Sequence, residues 1–270
     1  MKTFLTLILS FSLFATDYFS SPNILKFADY LYKQGDYRRA AGEYLRYLST
    51  DGDRRLYAWK RAVISFEKSG EFYQGIKICL EAEKEFPQEA FFPVERAGLL
   101  IKSEKYDKVG EILEERDWPQ NVKNKLKQAK FIALIMSGKW EEAEEFSSIL
   151  PPASYSTFLK QQMYKRKKLG WKSPTKAAIF SAIIPGAGKF YAGRWKDGLY
   201  SMLVIGLSGW QAYSGFKSGA KTKGYIFTGL TAFFYAGNVY GSAVAAKIYN
   251  LQMDSRIQGE IRISIPVLLR

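Results

Sequence analysis

The sequence predicts an all-α chain in two parts, a helical solenoid of about four repeats followed by a transmembrane helical hairpin. Three observations lead there. A short pattern recurs through the first half at spacings of 35, 34 and 34 residues. Long charge-free stretches fill the second half. The charge divides at the same boundary, with 22 Lys+Arg against 23 Asp+Glu between Asp17 and Leu150 but 17 against 3 between Pro151 and Arg270. The net charge of +14 therefore belongs to the second half.

The recurring pattern begins at Gly35-Asp36-Tyr37, Gly70-Glu71-Phe72, Glu104-Lys105-Tyr106 and Gly138-Lys139-Trp140. Each start has an aromatic residue two places on, and Ala40, Gly75, Val109 or Ala143 three places beyond that. Four places before each start stand Leu31, Phe66, Leu100 and Leu134, and seven before stand Ala28, Val63, Ala97 and Phe131. Two antiparallel helices joined by a tight turn need a Gly-like residue at the turn and a small one where they touch. Large apolar positions then fill the interface with the next repeat. The pattern resembles the tetratricopeptide repeat over about Ile24 to Leu150. Trp59 and Pro87 match that family's early Trp and terminal Pro in the second repeat. The third repeat departs most, with Glu104 for Gly and Val109 for Ala, and Phe131 is bulky for its place in the fourth.

The resemblance implies a groove lined by first helices that holds a peptide or a partner helix. In the family's register that groove includes Asp29, Lys33, Lys60, Ile64, Glu67, Lys68 and Lys102. Its lysines resemble part of a clamp for an acidic C-terminus, although the Asn of that clamp is absent. Cys79 reads as a small buried apolar residue.

Chemistry is restricted by what is missing. The chain has no His and one Cys, which excludes Ser–His or Cys–His pairs, His-ligated metals, Cys-rich zinc sites and an internal disulfide. No catalytic residue, cofactor or metal ligand is expected, and the chain reads as a non-enzyme. Because the basic residues border apolar stretches, they suggest membrane flanks rather than nucleic-acid contacts. Membrane lipid is thus an expected partner and nucleic acid is not.

At the N-terminus Lys2 precedes an apolar run from Phe4 to Phe14, so residues 1–16 read as a signal peptide with export to follow. Residues 151–172 form a basic linker, 173–250 the membrane domain and 251–270 a tail. Within the membrane domain Ala177–Gly188 is charge-free for 12 residues, Gly198–Phe216 for 19 and Gly224–Ala246 for 23. The last two have spanning length, giving two spans, or three if the first also crosses. Gly237 and Gly241 form a G-x-x-x-G step expected to be a helix contact, and Asn238 needs an interhelical partner. In the tail, Glu260 to Val267 alternates apolar and polar, which suggests a short strand.

Pro185-Gly186-Ala187-Gly188-Lys189 fails as a phosphate loop, with Ile183 at the first Gly position and Phe190 at the Ser/Thr. Tyr191 at the third Gly position likewise rejects a dinucleotide fingerprint. Pro185, Gly186, Gly188, Tyr191 and Gly193 instead resemble a bacterial membrane-domain family marked by P-G-x-G-x-x-Y-x-G, over about Ser173 to Ala246. Lys189 stands where that family often has Gln, and no biochemical role is attached to it.

The expected function is a membrane-anchored repeat scaffold in a bacterial envelope, in the inner membrane with its repeats outside. The alternative is an accessory subunit of a transport or protein-insertion complex that acts through its hairpin.

Overall fold

The computed structural model describes residues 19–150 and 154–268, and every regular element among them is helical. Residues 1–16, read above as a signal peptide, lie outside the described residues. The chain divides into two compact units, Met1–Ser156 with Ser264–Arg270, and Thr157–Ile263.

The first unit contains α1 (Ser21–Lys33), α2 (Tyr37–Leu48), α3 (Arg55–Ser69), α4 (Phe72–Glu85), α5 (Phe91–Lys102), α6 (Asp107–Glu114), α7 (Gln120–Met136), α8 (Trp140–Phe146) and a 3₁₀ turn, Ser147–Ile149. The pairs α1–α2, α3–α4, α5–α6 and α7–α8 are hairpins, and their turns explain the repeat. Gly35, Gly70, Glu104 and Gly138 are all left-handed, with φ of 82°, 78°, 60° and 76°. The N–H of each following residue bonds back to the carbonyl of Leu31, Phe66, Leu100 or Leu134, at 2.9–3.0 Å. The left-handed residue itself bonds to Tyr32, Glu67, Ile101 or Ile135. This paired bonding satisfies carbonyls that a helix end leaves open. Asp36 adds a side-chain cap by accepting from the Arg39 N–H.

The positions seven and four before each turn fall on the buried stripe of the first helix. Ala28, Val63, Ala97 and Phe131 are fully enclosed, so the bulky Phe131 is accommodated. Ala40 and Ala143 are also enclosed, and a Cβ at Gly75 would come within 2.9 Å of Leu99 Cδ1. Small residues stand where helix backbones approach. Cys79 is enclosed as well, and burial pushes its thiol well above the ordinary value.

The second unit is built from α9 (Ser154–Leu169, which starts in the first), α10 (Pro174–Ile183), α11 (Ala187–Tyr191), α12 (Trp195–Lys217) and α13 (Lys221–Leu268, which ends in the first). Ser173 caps α10 by accepting from Lys176 N–H, and Pro174 occupies its first turn. Two corrections follow. Among the described residues no helix is long and apolar enough to cross a membrane. The transmembrane hairpin and the inner-membrane placement are both overturned by that finding. The physical reason is that absence of charge is not apolarity. The buried positions of α12 include Gly198, Ser201, Ser208 and Gly215, and the charge-free run of α13 is diluted by Gly, Thr, Tyr and Asn. The basic segment also has protein partners, since Lys165 pairs with Glu260 and Arg166 with Asp254, each at 2.8 Å.

The tail is helix rather than strand. Met253, Ile257, Ile261 and Ile265 are buried four residues apart, a helical period that outweighs the local alternation.

Candidate functional site

The first-helix face of the first unit holds the expected groove residues, most of them already engaged. Asp29 on α1 accepts from the hydroxyls of Tyr44 on α2 (2.6 Å) and Tyr57 on α3 (2.7 Å). Burial, then the Asp29 acceptor, pushes the Tyr44 hydroxyl above the ordinary tyrosine range. Lys60 pairs with Glu89 at 3.0 Å and lies over the Phe91 ring. Glu67 pairs with Lys102 on α5. Ile64 is half-buried, and Lys33 and Lys68 are exposed.

Sequence reasoning missed the centre of this face. Arg61 donates to the Tyr44 hydroxyl at 3.2 Å, and its guanidinium lies 3.4 Å from the Tyr32 ring centroid. Tyr44 and Tyr57 rings stand 5.8 Å from the same group. Lys68 lies over Tyr32 and Tyr37, at 5.4 and 4.9 Å. Three helices thus surround one guanidinium with tyrosines. Neither Arg61, Lys68 nor Lys33 makes an ion pair with a carboxylate among the described residues. The excess of Tyr in the first two repeats was the available signal, because a buried Tyr needs a polar partner. Next to this face a cleft of about 420 Å³ is bordered by Leu25, Asp29, Tyr47 and Arg54.

In the second unit the glycine-rich motif is a piece of local architecture. Pro185 and Gly186 occupy the central positions of a turn closed by Ala187 N–H to the Ile184 carbonyl. Gly186 has φ 86° and ψ −18°, which a residue with a Cβ rarely adopts. A Cβ there would fall on the Gly198 carbonyl, and one at Gly188 on the Ala177 carbonyl. The Tyr191 hydroxyl accepts from the Ser173 N–H at 3.0 Å, and its ring meets Phe180 edge-on. Gly193 closes α11 with the same left-handed cap as the repeats, Arg194 N–H returning to Lys189.

Asn238 on α13 completes this core. Its side chain accepts from the Gly186 N–H and donates to the Ser181 carbonyl, while Ser181 and Ser242 hydroxyls meet at 2.7 Å. The expected contact residues Gly237 and Gly241 lie beside this core. A Cβ at Gly237 would meet nothing within 4 Å, and one at Gly241 would meet only the Lys189 side chain. The packed track is Asn238–Ser242–Ala245, because hydrogen-bonding groups draw α13 onto the motif from that side.

No protein-family model matches the chain, and no curated protein matches it. Any functional reading therefore rests on the site itself.

Proposed function

We propose that the first unit is a protein-interaction scaffold of the tetratricopeptide-repeat kind, holding an acidic peptide or partner helix against its first helices. One observation carries this reading. Arg61 and Lys68 present cationic groups beside Tyr32, Tyr37 and Tyr57, with Lys33 exposed on α1, and among the described residues no carboxylate is paired to any of the three. Lys60 and Lys102 are each neutralised by a neighbouring glutamate, so the attraction concentrates over the first two repeats. An acidic segment would supply the missing counter-charge, and the tyrosine rings would offer area with little side-chain entropy to lose. The register of the four left-handed turns supports the stacked-hairpin arrangement on which such a face depends.

The test is fluorescence anisotropy of the full chain with acidic peptides and their neutral Gln/Asn counterparts at two salt concentrations. Acidic peptides should bind, more weakly as salt rises. The Arg61→Ala/Lys68→Ala double variant should lose about tenfold in affinity, of the order of a desolvated charge contact. Equal binding of neutral and acidic peptides, or an unaffected double variant, would refute the reading.

A further inference from the structure

A second site lies in the second unit. A cleft of about 200 Å³ opens beside α11, α12 and α13, walled by Val204, Ile205, Phe233 and Phe234. Its polar members are Lys189, Ser201 and Asn238, with Tyr200 at the margin. Gly237, which lines it, keeps it open, since nothing lies within 4 Å of a Cβ there.

The cation in this cleft is short of a partner. Lys189 Nζ donates to Ser201 Oγ at 2.6 Å, and that hydroxyl donates onward to the Asp197 carbonyl at 2.9 Å. The neighbouring carboxylate, Asp197, is paired with Arg194 at 2.5 Å. Lys189 therefore has two further N–H donors and no carboxylate paired to it among the described residues. Burial, with Arg194 acting in the same direction and Asp197 opposing, holds its amine below the ordinary lysine value. A half-buried ammonium against apolar walls is an unfavourable arrangement that a bound anion would relieve.

We propose that this cleft binds a small monocarboxylate with an apolar tail, the carboxylate on Lys189 and the tail against Val204, Ile205, Phe233 and Phe234. A single lysine matches one negative charge, whereas a phosphate would remain uncompensated with Arg194 already paired. A cationic ligand would be repelled. The volume lies below the usual range for drug-sized ligands, roughly 300–1,000 Å³, so the tail is short. This site is independent of the peptide face on the first unit.

Octanoate, octanol and octyltrimethylammonium should be compared on the full chain by calorimetry. Octanoate should bind one to one, about tenfold tighter than octanol, a difference of about 1.4 kcal/mol, with the cation weakest. Lys189→Gln should abolish the preference for octanoate, and Lys189→Arg should retain it. Gly237→Leu, at a position with open space and a helical backbone, should fill the cleft and remove binding of both octanoate and octanol. Equal affinity for octanoate and octanol would signal adsorption to exposed apolar surface and overturn the proposal. So would a preference that persists in Lys189→Gln, or unchanged binding in Gly237→Leu.

Discussion

The Asn238 side chain accepts a hydrogen bond at 3.2 Å from the backbone N–H of Gly186, which lies 52 residues earlier in the chain. Gly186 is left-handed and buried, and among the described residues its N–H has the Asn238 side chain as its acceptor. One amide therefore joins the α10–α11 turn to the longest helix.

Asn238→Ala should remove that acceptor and also the donor to the Ser181 carbonyl, leaving two buried backbone groups unsatisfied. We expect a loss of about 2 kcal/mol, within the range of ~1–3 for such groups. Urea unfolding followed by tryptophan fluorescence of Trp195 and Trp210, with the other tryptophans replaced, measures it. A midpoint equal to the parent's would contradict the assignment.

Glu104 is the one non-glycine residue with positive φ among the described residues, at 60°. A side chain in that conformation is strained by ~1–2 kcal/mol, and the greater freedom of glycine in the unfolded chain returns part of this. Glu104→Gly should therefore stabilise the first unit by about 0.5–1 kcal/mol. Thermal unfolding would show a rise of a few degrees. A fall would mean that contacts of the Glu104 side chain outweigh the strain.

Arg96 on α5 is buried between two carboxylates, with Nε 2.9 Å from Glu83 and Nη2 2.5 Å from Glu115. Arg96→Met should destabilise by about 3 kcal/mol, because it leaves Glu83 buried with only the Arg116 guanidinium, 4.0 Å away, to compensate it. Combining it with Glu83→Leu and Glu115→Leu should recover most of the loss, since an apolar trio needs no charge compensation. Chemical denaturation of the single and triple variants separates the two outcomes.

Glu83 and Glu85 sit on the same helix, α4, with opposite pH behaviour. Hydrogen bonds from Arg55, reinforced by Trp59 and opposed by burial, hold Glu85 below the ordinary value of 4.5. Its stabilisation is present above 4.5 and lost as pH falls through the folded value. Glu83 is raised by burial despite Arg96, so its contribution is fullest below 4.5 and declines as pH rises through the raised value. Glu85→Gln should flatten the acid limb of a stability–pH curve, and Glu83→Gln the limb just above 4.5. Urea midpoints across about pH 3–7 would reveal either limb unchanged.

What the sequence determined by itself were the turns and the stripes between them. Gly35, Gly70 and Gly138 mark left-handed caps because only local backbone sterics decide where φ can be positive, and the enclosed Ala28, Val63 and Ala97 follow from helical period alone. Glu104 was legible only through its register, since its own residue type disfavours the conformation it takes.

Tertiary structure decided everything that depends on which groups meet at long separation. It brought Arg61 among Tyr32, Tyr44 and Tyr57, put Arg96 between Glu83 and Glu115, and turned α13 so that Asn238 rather than Gly237 faces the motif. It also gave Lys165 and Arg166 acidic partners some 90 residues away, where their sequence neighbourhood had suggested membrane flanks. A charge-free stretch shows only where ions are absent. Whether its glycines, serines and asparagine are buried against one another is set by packing, because each such group must find its hydrogen-bond partner in three dimensions.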